Sequence, residues 1–191
     1  MACPICRGKD KIFSLKVKDY EYNLKAQALY MQCKACRSIY RKHPKKVKNK
    51  IYTKTKYLPL KGNIIYDLLK NVYAEHEKRI IYELLSDNFF KKQRIILDIA
   101  CGKGFLIKKF SSNKNFHCYG TDINISTTKK WNVNFIRSSF NNMKIVRKIN
   151  PDLIIVNNFI EHMENPDKVI EKASKILSSN GYICITTGDI G

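Results

Sequence analysis

From Ile64 onward the apolar residues fall into short blocks that switch between two periods. Ile95, Ile96, Leu97 and Ile99 form a run too short for a helix and apolar on both faces, as a central parallel strand requires. Further strand-like blocks stand at Phe116 to Asp122, at Val133 to Ile136, and at Asp152 to Val156 behind Pro151. Between and after them the period lengthens. A helix is predicted from Asp167 to Leu177, with Val169, Ile170, Ala173, Ile176 and Leu177 on one face. Asn180-Gly181 is a turn signal, and Tyr182 to Thr187 reads as a fifth strand. Ahead of the first strand, Ile65, Leu68, Leu69, Val72, Ile80, Ile81 and Leu84 predict helices across Ile64 to Leu85. Strands and helices alternating with short connections predict an α/β domain with a doubly wound parallel sheet over 64–191.

Chemistry collects at the ends of the first two strands. The segment Leu97-Asp98-Ile99-Ala100-Cys101-Gly102-Lys103-Gly104 carries the first strand into a glycine turn, and a helix begins at Phe105. Gly102 and Gly104 let backbone approach a ligand closely, and the helix turns its positive end to the same spot. Asp98 is costly near a strand end unless it caps a turn or meets a ligand. Asp122 closes the second strand, about 20 residues past the turn, where nucleotide-binding sheets keep the acid that accepts hydrogen bonds from ribose hydroxyls. Turn capping is the plainer role for either carboxylate. A flavin or nicotinamide enzyme would share this layout but uses the wider G-x-G-x-x-G spacing, which the chain lacks.

Taken in order, these motifs resemble the class I S-adenosylmethionine-dependent methyltransferases, over about Ile64 to Gly191. The first motif of that family is usually an acid followed by three spaced glycines, and Ala100 here replaces the first glycine. The resemblance implies a Rossmann-like fold and a methyl donor held by Asp98, Ala100, Cys101, Gly102 and Gly104. It further implies Asp122 on the ribose with Ile123 beside it. Asn158-Phe159-Ile160-Glu161-His162-Met163 looks like the family segment that lines donor and acceptor, which brings in Asn158. Ser139 aligns where the family often has an acid for the adenine amine, and the backbone of Phe140 is the substitute. The family fold adds two strands beyond the fifth. The sequence stops at Gly191, so a truncated domain is expected, with a partner covering the edge as the alternative.

The front of the chain speaks of metal. Cys3-Pro4-Ile5-Cys6 and Cys33-Lys34-Ala35-Cys36 are two C-x-x-C turns, each able to present two thiolates to one zinc ion. A β-hairpin between them is expected, with strands at Tyr20 to Leu24 and Leu29 to Gln32. The layout predicts a zinc-ribbon-like domain over 1–42, a basic linker over 43–63, and the incomplete methyltransferase domain after it. Disulfides are the rival reading. An odd total of seven cysteines and no secretory-type opening segment favour a reducing, cytoplasmic setting. Cys101, Cys118 and Cys184 read as small core residues. A zinc ribbon ahead of such a domain resembles a bacterial group of methyltransferases with an N-terminal zinc-binding domain, some of which are sugar C-methyltransferases.

Charge and hydropathy bound the partners. The formal charge is +20, and the densest run spans 41–50, a solvated linker or a polyanion-binding patch. No apolar run is long enough to span a bilayer. The resemblance implies a small-molecule or glycan-linked acceptor methylated on oxygen or carbon. His162 is the candidate base and Glu161 its orienting group or a metal ligand, while a helix-starting, packing role for His162 stays open. His43, His76 and His117 lie in no pattern. An RNA methyltransferase with N-terminal zinc is the first alternative, favoured by charge and ribbon. It lacks the Asn-Pro-Pro-Tyr type motif and a visible aromatic platform. A non-catalytic binding module is the second.

Overall fold

The computed structural model describes residues 2–18, 27–42, 64–125, 128–139, 146–163 and 165–188. The chain divides into two compact units, Met1–Lys61 and Gly62–Gly191.

In the first unit, strands β1 (Lys11–Lys18), β2 (Gln27–Cys33) and β3 (Ile39–Lys42) form an antiparallel sheet in that order. β2 covers the expected Leu29 to Gln32 strand. The other expected strand, Tyr20 to Leu24, lies outside the described residues, and β2 pairs instead with β1, for example Val17 with Ala28. Among the described residues, the core of this unit is Cys3, Met31, Cys33 and Tyr40.

The second unit begins with helix α1 (Ile64–Leu84) and the short α2 (Asp87–Lys91). Strand β4 (Arg94–Ile99), helix α3 (Phe105–Phe110) and strand β5 (Phe116–Asp122) follow. Strands β6 (Thr128–Lys130), β7 (Val133–Arg137) and β8 (Leu153–Asn157), helix α4 (Pro166–Ser174) and strand β9 (Tyr182–Thr186) complete it. The sheet order is β6-β7-β5-β4-β8-β9. All five expected strands are parallel, and a sixth, the short β6, adds antiparallel to β7. Its three residues, Thr-Lys-Lys, are exposed and carry no apolar signal.

Alternation along each strand divides the core into two layers. Ile96, Leu153 and Ile155 join Ala74, Ile81, Leu106, Phe110 and Phe116 under α1, α2 and α3. Leu97, Ile99, Ile154 and Val156 face the opposite way, onto Val169, Ala173 and Ile176. Tyr82 stacks on Phe90 at 3.8 Å between ring centroids and on Phe110 at 5.9 Å. At the opposite end from the glycine turn, Arg94 pairs with Asp152 at 3.3 Å while the Ile95 N–H donates to the same carboxylate at 2.9 Å. That clamp sets β8 against β4.

Helix α1 departs from its sequence pattern. Its buried residues are Ala74, Glu77 and Ile81, whereas Ile65, Leu68, Leu69, Val72 and Leu84 are all more than 60% exposed. Among the described residues, the front half of its apolar stripe stays mostly exposed to solvent.

Phe110 is fully buried between the sheet and the aromatic stack. Phe110→Ala is expected to cost about 3–5 kcal/mol, read as a lower urea midpoint with unchanged slope.

Candidate functional site

Strand order reverses direction at β4: β5 and β7 lie to one side, β8 and β9 to the other. In open parallel sheets the crevice outside the strand ends at such a switch is where ligands bind. The sequence-singled residues gather there.

The turn after β4 is built from left-handed backbone. Ala100, Gly102 and Gly104 have φ of 57°, 55° and 77°. A side chain on Gly104 would meet the Phe135 ring at 2.6 Å, so packing as well as φ requires glycine there. At Gly102 the space is open, with nothing within 4 Å of where a Cβ would sit. Ala100 holds its positive φ at a cost of about 1–2 kcal/mol, which a glycine at that place would not bear. Cys101 N–H donates to the Thr121 carbonyl at 3.0 Å, tying turn to β5.

Asp122 completes the tie. Its Oδ2 accepts from the Gly102 N–H at 3.0 Å and its Oδ1 from the Asn124 N–H at 2.8 Å. The carboxylate therefore does cap turns, yet it is only half-buried and keeps lone pairs for further donors. Ile123 beside it is exposed, an apolar surface at the same rim.

Asp98 is the opposite case. It is buried, and its Oδ1 has no hydrogen-bond partner. Loss of solvent, with the Asp122 charge adding to it, pushes its carboxyl up to about 8. A cation brought beside it would reverse that shift. Burial is also the main force raising Cys101, followed by Asp98 and Asp122, and it pushes Cys118 up to about 12. Both thiols stay protonated, in keeping with packing roles.

On the far side of the switch, Asn158 follows β8 with φ of 46° and its N–H donates to the Thr186 carbonyl at 2.9 Å. Its side-chain amide reaches the Tyr73 hydroxyl of α1 at 3.3 Å. Glu161 and His162 sit on a single 3-10 turn, Ile160–His162, with His162 Nε2 3.9 Å from Glu161 Oε1. Ser139 lies past the end of β7, next to Ser138, whose N–H donates to the Asp122 carbonyl at 3.2 Å. Phe140 lies outside the described residues.

Tyr73 and Glu77 were not visible in the sequence as site residues. Glu77 is buried, while Tyr73 is exposed and meets Asn158 through its hydroxyl; desolvation is the largest force raising the Tyr73 phenol, with Asn158 opposing it and Glu77 and Glu161 adding to it. Their spacing of four, in line with Ala74 and Ile81, was the available signal.

In the first unit the two C-x-x-C turns are built alike. Arg7 N–H donates to the Cys3 carbonyl and Arg37 N–H to the Cys33 carbonyl, each at 3.0 Å. Arg7 and Arg37 have φ of 63° and 62°. Cys3, Cys6, Cys33 and Cys36 bring all four sulfurs within 4.8 Å of one another. The closest pairs are 3.7 Å for Cys3 and Cys36 and 3.5 Å for Cys6 and Cys33. Tetrahedral Zn–S bonds of about 2.3 Å place sulfurs about 3.8 Å apart, whereas a disulfide needs about 2.05 Å. The set fits zinc. Contacts with Ser38 and then Cys6 pull Cys36 down to about 6. At Cys6 the lowering by Gly8 is outweighed by Cys36 and Cys33, which push it up to about 11. Four thiolates so close need a cation among them.

A family model described as a methyltransferase domain matches residues 73–190. No curated protein matches the chain by sequence. Similar solved structures include coclaurine N-methyltransferase bound to N-methylheliamine and SAH, 20% identical over 62% of this chain and 34% of that one, with TM-score 0.45. The plantazolicin methyltransferase BpumL in complex with a desmethylPZN analog and SAH is 19% identical over 63% of this chain and 45% of that one, with TM-score 0.42. MycE methyltransferase from the mycinamycin biosynthetic pathway, with Mg and SAH, is 16% identical over 68% and 35%, with TM-score 0.46. The chain thus spans less than half the length of each.

Two outcomes are expected. The purified chain carries one equivalent of zinc, released on acidification as the thiolates protonate, and Cys33→Ala abolishes it, as a chromogenic zinc assay reads. Because folding raises the Asp98 carboxyl from about 4 to about 8, the folded state holds the proton more tightly, and stability falls as pH rises through that window. Asp98→Asn is expected to stabilise the protein above about pH 8 and not at pH 4, as urea unfolding at the two pH values measures.

Proposed function

Because this chain belongs to the methyltransferase-domain family, we propose that it transfers the methyl group of S-adenosylmethionine to a small-molecule or glycan-linked acceptor, on oxygen or carbon. The observation that carries the donor half is the pair of carboxylates astride an open glycine turn. Asp98 has a buried oxygen lacking a protein partner, and Asp122 is half-exposed beside the free space at Gly102. S-adenosylmethionine, when bound, supplies a methyl group made electrophilic by a sulfonium.

In this reading the residues of the chain divide the work. Asp122 accepts hydrogen bonds from the ribose hydroxyls while keeping its hold on Gly102. Ile123 packs on the adenine, and Ser139 meets the adenine edge, with the backbone of Phe140 as its substitute. Asp98 answers the positive charge of the donor, which returns its carboxyl to the ionised form. Ala100, Cys101, Gly102 and Gly104 shape the wall, and Asn158 closes the site from β8. His162, oriented by Glu161, takes the proton of an acceptor hydroxyl or carbon acid. Holding acceptor and donor in line supplies much of the rate. Cys3, Cys6, Cys33 and Cys36 hold zinc in a closed sulfur shell, which leaves no open position and gives the ion a structural role.

The RNA alternative gains one observation from the structure, an exposed Trp131 between lysines.

The test is calorimetric titration of S-adenosylhomocysteine. Binding is expected, weakened about ten- to hundredfold by Asp122→Ala, the effect of removing hydrogen bonds to a charged group. Absence of binding by the folded, zinc-loaded protein would overturn the donor assignment.

A further inference from the structure

Trp131 is the only tryptophan of the chain, and it stands 45% exposed on the turn between β6 and β7. The turn holds it outward: Trp131 and Asn132 both have positive φ, 54° and 59°. The turn is anchored beneath by the Ser111 hydroxyl, which donates to the Trp131 carbonyl at 2.7 Å. The ring meets Phe135 edge-on at 6.4 Å. Two ammonium groups crowd the indole, Lys130 at 4.3 Å and Lys108 at 4.4 Å from its centroid.

Beside the ring lies a cavity of about 220 Å³ lined by Trp131, Phe105, Lys103, Lys108, Asp67 and Asn71. Lys103 is paired with Asp67 at 2.9 Å. Lys108, Lys130 and the exposed Lys129 leave the groove net positive. An aromatic face set among cations suits a ligand that is flat and anionic at once. A peptide of acidic residues would satisfy the lysines and leave the indole face bare; an apolar ligand would do the reverse.

We propose that this groove binds single-stranded polynucleotide, with one base stacked on Trp131 and the neighbouring phosphates met by Lys108 and Lys130. A base that enters displaces one ammonium from the ring, and the flexible lysine stem carries it to the adjacent phosphate. The excess of 36 Lys and Arg over 16 Asp and Glu supplies the long-range attraction for such a polymer. The site uses none of the residues assigned to the methyl donor, so the two readings stand or fall separately.

A lone tryptophan makes the test direct. Its fluorescence is titrated with a single-stranded oligouridylate about ten nucleotides long. Quenching is expected, with log affinity falling against log salt. Lys108→Ala combined with Lys130→Ala is expected to reduce that slope by about 1.4, for two lost phosphate contacts. Trp131→Leu, followed by anisotropy of a labelled strand, is expected to bind about tenfold more weakly. Circular dichroism and S-adenosylhomocysteine titration of the same variants report folding and donor binding. An unquenched tryptophan, equal quenching by polyglutamate, or unchanged strand affinity in either folded variant would overturn the proposal.

Discussion

A buried carboxyl is costly to ionise, and at Asp98 the charge of Asp122 at the end of the adjacent strand adds to the loss of solvent. The rest of the edge is arranged around the problem. Asp122 is relieved by two backbone N–H groups, from Gly102 and Asn124. Asp98 has its Oδ1 unrelieved, buried on the layer shared with Ile96. The glycine turn must then pass over both in left-handed backbone, which Gly104 achieves freely and Ala100 under strain. A fold that needed only stability would place an apolar residue at position 98. The retained carboxyl is what, in the reading proposed above, answers a cationic, hydroxyl-rich ligand at this edge.

The two units solve the folding problem by different means. The larger has two apolar layers on a six-stranded sheet and an aromatic stack joining Tyr82, Phe90 and Phe110. Among the described residues, the smaller buries Met31 and Tyr40 besides its cysteines. So small a core does not offset the entropy of ordering three strands. Four sulfurs converge there instead, in the arrangement that zinc would require at the centre of the unit.

Much of this was legible in the chain because period and special residues agree. The run Ile95–Ile99 and the glycines after it read as strand and turn, and the matched cysteine turns announced their convergence by spacing alone. What escaped detection lacked such a signature. β1 is exposed at nearly every position, so Lys11–Lys18 shows little alternation in burial. β6 is Thr-Lys-Lys and borrows its shape from β7. On α1 the strongest apolar stripe points outward, while Glu77 takes a buried place and the Tyr73 hydroxyl meets Asn158. Asp122 could be placed at the site from its distance along the chain, but its hold on Gly102 depends on strand pairing that no local pattern contains. Trp131 gave no sign because a single aromatic in a polar stretch reads as a turn-packing residue.

The outward stripe of α1 divides that helix in two. Behind Ala74, each turn is locked to the sheet through Ile81 and Tyr82, and its backbone amides are released to solvent deuterium only when the whole unit opens. In front of it, Ile65, Leu68, Leu69 and Val72 are mostly exposed, and the Asp67–Lys103 pair ties this stretch to the glycine turn. A short helical stretch held that weakly unwinds in microseconds or less. The hydrogen bond from Asn158 to the Tyr73 hydroxyl thus stands at the boundary between the two halves of the helix, where local opening would be felt first.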